Sequence, residues 1–123
     1  MVYLDTTFLV RMVSSPNLIS LRARRFIGQR ELRVSPMVVL ELQFLYEIQR
    51  IRYSSSKIMK HASDEFGVTV CNKPFEAIAA KALEFSWTHD PFDRLILAHA
   101  VLDHDYLIAT DGKFHDHYKR VIW

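Results

Sequence analysis

The chain is poor in residues that staple or punctuate a fold: one cysteine, three glycines and four prolines in 123 residues. A lone Cys71 cannot close an internal disulfide, so the fold must rest on burial, and a reducing, cytoplasmic setting is expected. Scarce glycine and proline leave little room for long disorder or low complexity. No basic-then-apolar leader opens the sequence, and no apolar run approaches the roughly 18 residues that span a bilayer. A membrane role is therefore not expected.

What is present is a packing composition, 50% hydrophobic and 24% charged, at a length suited to a single domain over residues 1–123. The net charge is only +2 but unevenly laid out. Residues 1–60 hold ten Lys or Arg against four acids, and residues 61–123 hold six against ten. Solvated helix faces explain such a split as readily as a polyanion track along Arg22, Arg24, Arg25, Arg30, Arg33, Arg50 and Arg52.

Short apolar runs alternate with helical periodicity. Strands are predicted at Val2-Tyr3-Leu4, Leu32-Arg33-Val34, Val68-Thr69-Val70, Tyr106 to Ala109 and Arg120-Val121-Ile122. Between them the pattern predicts a helix over Phe8 to Val13 capped by Thr6 or Thr7, and another after Pro16-Asn17 to about Gln29. A central buried helix is expected from Ser35-Pro36 to Ile51, one from Ser54 to Phe66 ended by Gly67, one from Pro74 to Phe85, and one opened by Asp90-Pro91. This alternation implies an α/β fold, a three-layer α/β/α sandwich around a mostly parallel sheet. In such sheets ligands gather at the carboxyl ends of the strands, where Asp5 and Asp111 fall.

Glu41 draws most notice because its neighbours one and two turns away, Met37, Val38, Phe44, Leu45 and Ile48, are all apolar. A carboxylate within a buried stripe needs a cation, a donor or a proton, and a core salt bridge is the bland alternative. Glu47 is the control: flanked by Gln43 and Arg50, it needs only a solvated face. Asp93 follows the capping Asp90 in the first turn of its helix, where acids favour the dipole, and Asp111 beside Gly112 also suits a turn. Together Asp5, Glu41, Asp93 and Asp111 form an oxygen-only set that suits Mg2+, with Mn2+ as a substitute, and phosphodiester hydrolysis is the matching reaction class.

In order and spacing these pieces resemble the PIN-domain nucleases, in particular the toxins of VapBC toxin–antitoxin systems, over the whole chain. Val2 to Thr7 resembles the family's first strand with its metal-binding acid and supporting hydroxyls, here Asp5, Thr6 and Thr7. Ser35-Pro36 to Leu42 resembles the glutamate helix, and His89-Asp90-Pro91-Phe92-Asp93-Arg94-Leu95-Ile96-Leu97-Ala98 closely matches a motif of the toxin branch. Tyr106 to Asp111 with Phe114 resembles the segment of the fourth acid, except that Ala109 stands where the family often has threonine. Thr110 is then displaced by one position, and Asp116 is a substitute fourth acid. The resemblance implies a magnesium-dependent endoribonuclease toxin acting on RNA, a homodimer silenced by a cognate antitoxin.

His89, Arg94 and Lys113 are candidate phosphate contacts, and Trp87 and Phe92 candidate stacking surfaces, although each also suits ordinary packing or pairing. His115, His117, His99 and Asp103 have spacings open to a transition metal but no matched third ligand. A phosphoacceptor receiver domain is disfavoured because Cys71-Asn72, not an aspartate, follows the third strand. A phosphoaspartate hydrolase is disfavoured because no second aspartate lies two positions after Asp5. A catalytically silent PIN domain that binds RNA or protein is the remaining alternative.

Overall fold

The computed structural model describes residues 1–28 and 30–123. Five parallel strands, β1 (Val2–Leu4), β2 (Leu32–Val34), β3 (Thr69–Val70), β4 (Tyr106–Ile108) and β5 (Val121–Ile122), form one sheet in the order β3-β2-β1-β4-β5. The chain winds outward from β1 to β3, then returns to add β4 and β5 on the other side. The order therefore reverses between β1 and β4, and a crevice is expected beyond their carboxyl ends. Val2, Tyr3 and Leu4 are almost wholly buried, as are Leu107 and Ile108, because helices cover both faces of a parallel sheet.

Helix α1 (Thr6–Ser14) begins directly after β1. Its cap is Asp5, not Thr6 or Thr7: Asp5 stays extended and its Oδ1 accepts from the Phe8 amide at 2.7 Å, while both threonines are already helical. The helix expected from Pro16 onward is split. Pro16–Leu18 makes a 3-10 turn, and Ser20, accepting from the Ala23 amide, restarts the chain as α2 (Leu21–Ile27). The expected end near Gln29 lies outside the described residues.

Helix α3 (Pro36–Glu47) is shorter and less enclosed than its composition suggested. Gln49 takes a left-handed φ of 61°, and the Arg50 amide turns back to the Leu45 carbonyl at 2.8 Å, which ends the ladder before Ile51. Only Val38 and Leu42 are fully buried, whereas Leu40, Phe44, Tyr46 and Ile48 are exposed. Apolar residues ring this helix, and the sheet and its neighbours cover one side only, so hydrophobicity alone could not tell the covered face from the bare one.

Helix α4 (Ser55–Phe66) is capped by Ser54 and closed by Gly67 at φ 67°, a conformation that favours glycine. Helix α5 (Phe75–Ala82) packs on α6 (Pro91–Leu102), and a four-residue α7 (Gly112–His115), absent from the sequence reading, follows β4. No described helix is long and apolar enough to cross a membrane.

Candidate active site

Beyond the carboxyl ends of β1 and β4 lies a cavity of about 120 Å3 whose wall carries Asp5, Glu41, Asp93 and Asp111. Four separate elements deliver them. β1 ends at Leu4, and the β1–β4 ladder continues through the Asp5 amide, which donates to the Ile108 carbonyl at 3.0 Å. That bond pins the first acid at the switch point. Glu41 comes from the second turn of α3, Asp93 from the first turn of α6, and Asp111 from the cap of α7, where its Oδ1 accepts from the Lys113 amide at 3.0 Å.

Each acid has a local partner that holds its rotamer. The Thr6 hydroxyl donates to Glu41 Oε1, bridging α1 to α3. Lys113 Nζ lies 2.6 Å from Asp93 Oδ2 and 3.4 Å from Asp111 Oδ2. Thr7 lines the same cavity. A fifth acid joins them: Asp90 caps α6, accepting from the Phe92 amide at 2.8 Å, and also faces the cavity. The sequence reading took Asp90 as a cap alone. Its spacing to Asp93 was the available signal, since Ncap and N3 side chains share the mouth of one helix.

The charges are unbalanced. Burial drives the Asp5 carboxyl up to about 7; the Phe8 amide opposes this, and Glu41, Asp93 and Asp111 add to it. Burial likewise raises Glu41, against the Thr6 hydroxyl, and raises Asp93, against the Lys113 ammonium. Asp111 is held below its usual value, first by the Lys113 amide and then by the ammonium. One ammonium thus faces five carboxyl groups.

The remaining candidates lie elsewhere. Arg94 Nε donates to the Thr88 carbonyl at 2.7 Å, and its side chain borders an apolar hollow with Phe75 and Leu83. Neither an acid nor the cavity holds it. His89 is exposed and does not line the cavity, nor do Thr110 and Asp116, the latter at the far end of α7. Trp87 stacks on His117 at 4.2 Å, and Phe92 stacks on Phe44 at 5.8 Å.

The donor set fits a hard divalent cation: carboxylate oxygens, no sulfur or imidazole, and room for an ion that keeps several waters at about 30 Å3 each. Among the described residues, however, no three ligating side chains close on one point as a finished metal shell. Lys113 lies against two of the four acids, its ammonium bridging Asp93 and Asp111. The residues therefore suit the ion once Lys113 yields those two carboxylates.

A family model described as PIN domain matches residues 2–120. Among solved structures, the chain is similar to one from a toxin–antitoxin complex of Klebsiella pneumoniae, with TM-score 0.66 and 16% identity, covering 100% of this chain and 97% of that one. It is similar to one from Rickettsia felis VapBC2 bound to a promoter DNA fragment, with TM-score 0.64, 17% identity and coverage of 99% and 96%. It is also similar to Mycobacterium tuberculosis VapC20, a sarcin-ricin loop cleaving toxin, with TM-score 0.63, 17% identity and coverage of 94% of each chain. At such identities the likeness is one of fold. No curated protein matches the sequence.

Proposed function

Because this chain belongs to the PIN-domain family, we propose that it is a Mg2+-dependent endoribonuclease, the toxin of a type II toxin–antitoxin pair. The observation that carries the proposal is the meeting of Asp5, Glu41, Asp93 and Asp111 from four elements around one cavity with a single compensating ammonium. Excess negative charge of this kind is costly in a purely structural role and supports a site that holds a cation.

Asp5, Glu41, Asp93 and Asp111 would hold Mg2+, or Mn2+ in its place. When bound, the ion supplies a polarised water and offsets charge on the leaving oxygen. In the hydrolysis so assisted, a water oxygen would bond to phosphorus and give up a proton to solvent, the phosphorus–oxygen bond to the next nucleotide would break, and the leaving oxygen would take a proton from solvent. Thr6 fixes the Glu41 carboxylate, the Phe8 amide fixes Asp5, and Lys113, now on Asp93, would be within the same cavity to meet a phosphate oxygen.

The chain as a whole, residues 1–123, acts as one nuclease domain, works as a homodimer in the cytoplasm and is silenced by a cognate antitoxin. The bare apolar face of α3, with Leu40, Phe44 and Ile48, supports a protein partner there. The toxin–antitoxin complexes among its structural neighbours agree with it.

The test is cleavage of total RNA by the purified chain with Mg2+, with chelator, and as Asp5→Asn. Cleavage is expected in the first case alone; metal-independent cleavage that survives Asp5→Asn refutes the mechanism. The position of Lys113 favours a second reading, a silent PIN domain whose lysine fills the ion's place for good. Under that reading the chain binds no Mg2+ and cuts no RNA, while Lys113→Met restores ion binding.

A further inference from the structure

Away from the acids, the far end of α1, residues 52–53 and the first two turns of α4 line a second cavity of about 440 Å3, with Val13 and Ile58 as apolar lining and Arg52, Tyr53, Lys57 and His61 around them. No acid lines it. Among the described residues, Arg52 and Lys57 have no salt bridge, whereas Lys60, one turn further along α4, is paired with Asp64 at 2.7 Å. Both free cations gather instead at Tyr53, Lys57 Nζ 4.7 Å and the Arg52 guanidinium 6.0 Å from the ring centroid. Arg52 also borders a second hollow, lined by Arg50 together with Glu47.

Unpaired cations around a half-exposed aromatic ring are the recognition chemistry of single-stranded nucleic acid: the ring stacks a base and the cations take flanking phosphates. The volume suits one nucleotide unit, within the roughly 300–1,000 Å3 of ligand pockets. The position suits it too. Thr7 lines the acidic cavity and Val13 lines this one, so α1 connects the two, with six residues giving roughly 9 Å of rise along the axis and a turn of about 120° around it.

We infer that the Arg52–Tyr53–Lys57 cavity is an RNA subsite that grips a nucleotide a few positions from the scissile phosphate. This rests on the ribonuclease reading and gives it a second point of contact, which sets the strand's path. Arg50 and Arg52 stand close together in the basic half of the sequence. The fold sets Arg52 on the rim of this cavity and Arg50 in the neighbouring hollow.

The test is binding of a short labelled single-stranded RNA of mixed sequence, by fluorescence anisotropy in chelator, together with cleavage kinetics in Mg2+. Arg52, Tyr53 and Lys57 are exposed, so Arg52→Ala/Lys57→Ala and Tyr53→Ala are expected to fold as the parent does. Each variant is expected to weaken RNA binding by at least about tenfold and to raise KM with kcat retained. The double variant is also expected to flatten the salt dependence by roughly one and a half to two in log–log slope.

Lys60→Ala/Lys119→Ala removes the same net charge elsewhere and is expected to change little. Parent-like binding by the two subsite variants, while the parent cleaves RNA, overturns the subsite and leaves the nuclease standing. Equal weakening by the control pair overturns it as bulk charge. A parent that neither binds nor cuts RNA removes the nuclease reading and the subsite together.

Discussion

Removing the charge of Asp5 is expected to stabilise the metal-free protein while abolishing cleavage. Asp5 is 5% exposed, and its carboxyl sits at about 7 in the fold against 3.8 as a free side chain. An acid whose folded pKa is raised costs nothing below its unfolded value. It destabilises the fold increasingly as pH rises from 3.8, and the cost levels off above about 7. At about 1.4 kcal/mol per unit the ceiling is about 4 kcal/mol, and relaxation of the site brings the expected gain for Asp5→Asn to roughly 1–3 kcal/mol. Asparagine keeps an oxygen for the Phe8 amide, so the α1 cap survives. The assay is urea unfolding of both proteins in chelator at pH 8 and near pH 4. The variant is expected to be the more stable at pH 8 and level with the parent near pH 4, and added Mg2+ is expected to close the gap by stabilising the parent. An Asn variant less stable than the parent in chelator at pH 8, or a gap that does not vary with pH, would refute the account of a site strained by its own charge.

Three further outcomes follow from the same geometry. Glu41→Gln and Asp93→Asn should each lower the rate of RNA cleavage about a hundredfold or more with circular dichroism unchanged, as loss of an ion's support does. Lys113→Met should tighten Mg2+ binding in calorimetry, because Asp93 and Asp111 no longer spend their charge on the ammonium; unchanged affinity would separate Lys113 from the ion's place. His99 is almost wholly buried, its Nδ1 has no hydrogen-bond partner among the described residues, and burial, helped by Lys73, pushes it down to about 4. Its neutral form therefore stabilises the fold fully above about 6.5, and that contribution, at most about 3 kcal/mol, should be lost as pH falls toward 4. His99→Gln should flatten the stability profile in that window.

Much of this protein was legible along the chain. Short apolar runs such as Val2 to Leu4 and Tyr106 to Ile108, too brief for helices, read as strands, and Ser54 with Gly67 brackets the helix between them. Capping was read less well. Thr6 or Thr7 was expected to cap the first helix, yet the Asp5 carboxylate caps it and faces the cavity at once. Asp90 was the reverse, a recognised cap whose second role is invisible in one dimension.

Local periodicity and punctuation set the order of elements, and hence a parallel sheet with Asp5 and Asp111 at its functional edge, because those signals depend on neighbours a few residues apart. Tertiary structure alone decided which side of the apolar α3 is bare and that Lys113 stands between Asp93 and Asp111. Each of those depends on distances between side chains that the fold brings together from separate elements or across a loop, and no spacing along the backbone encodes them.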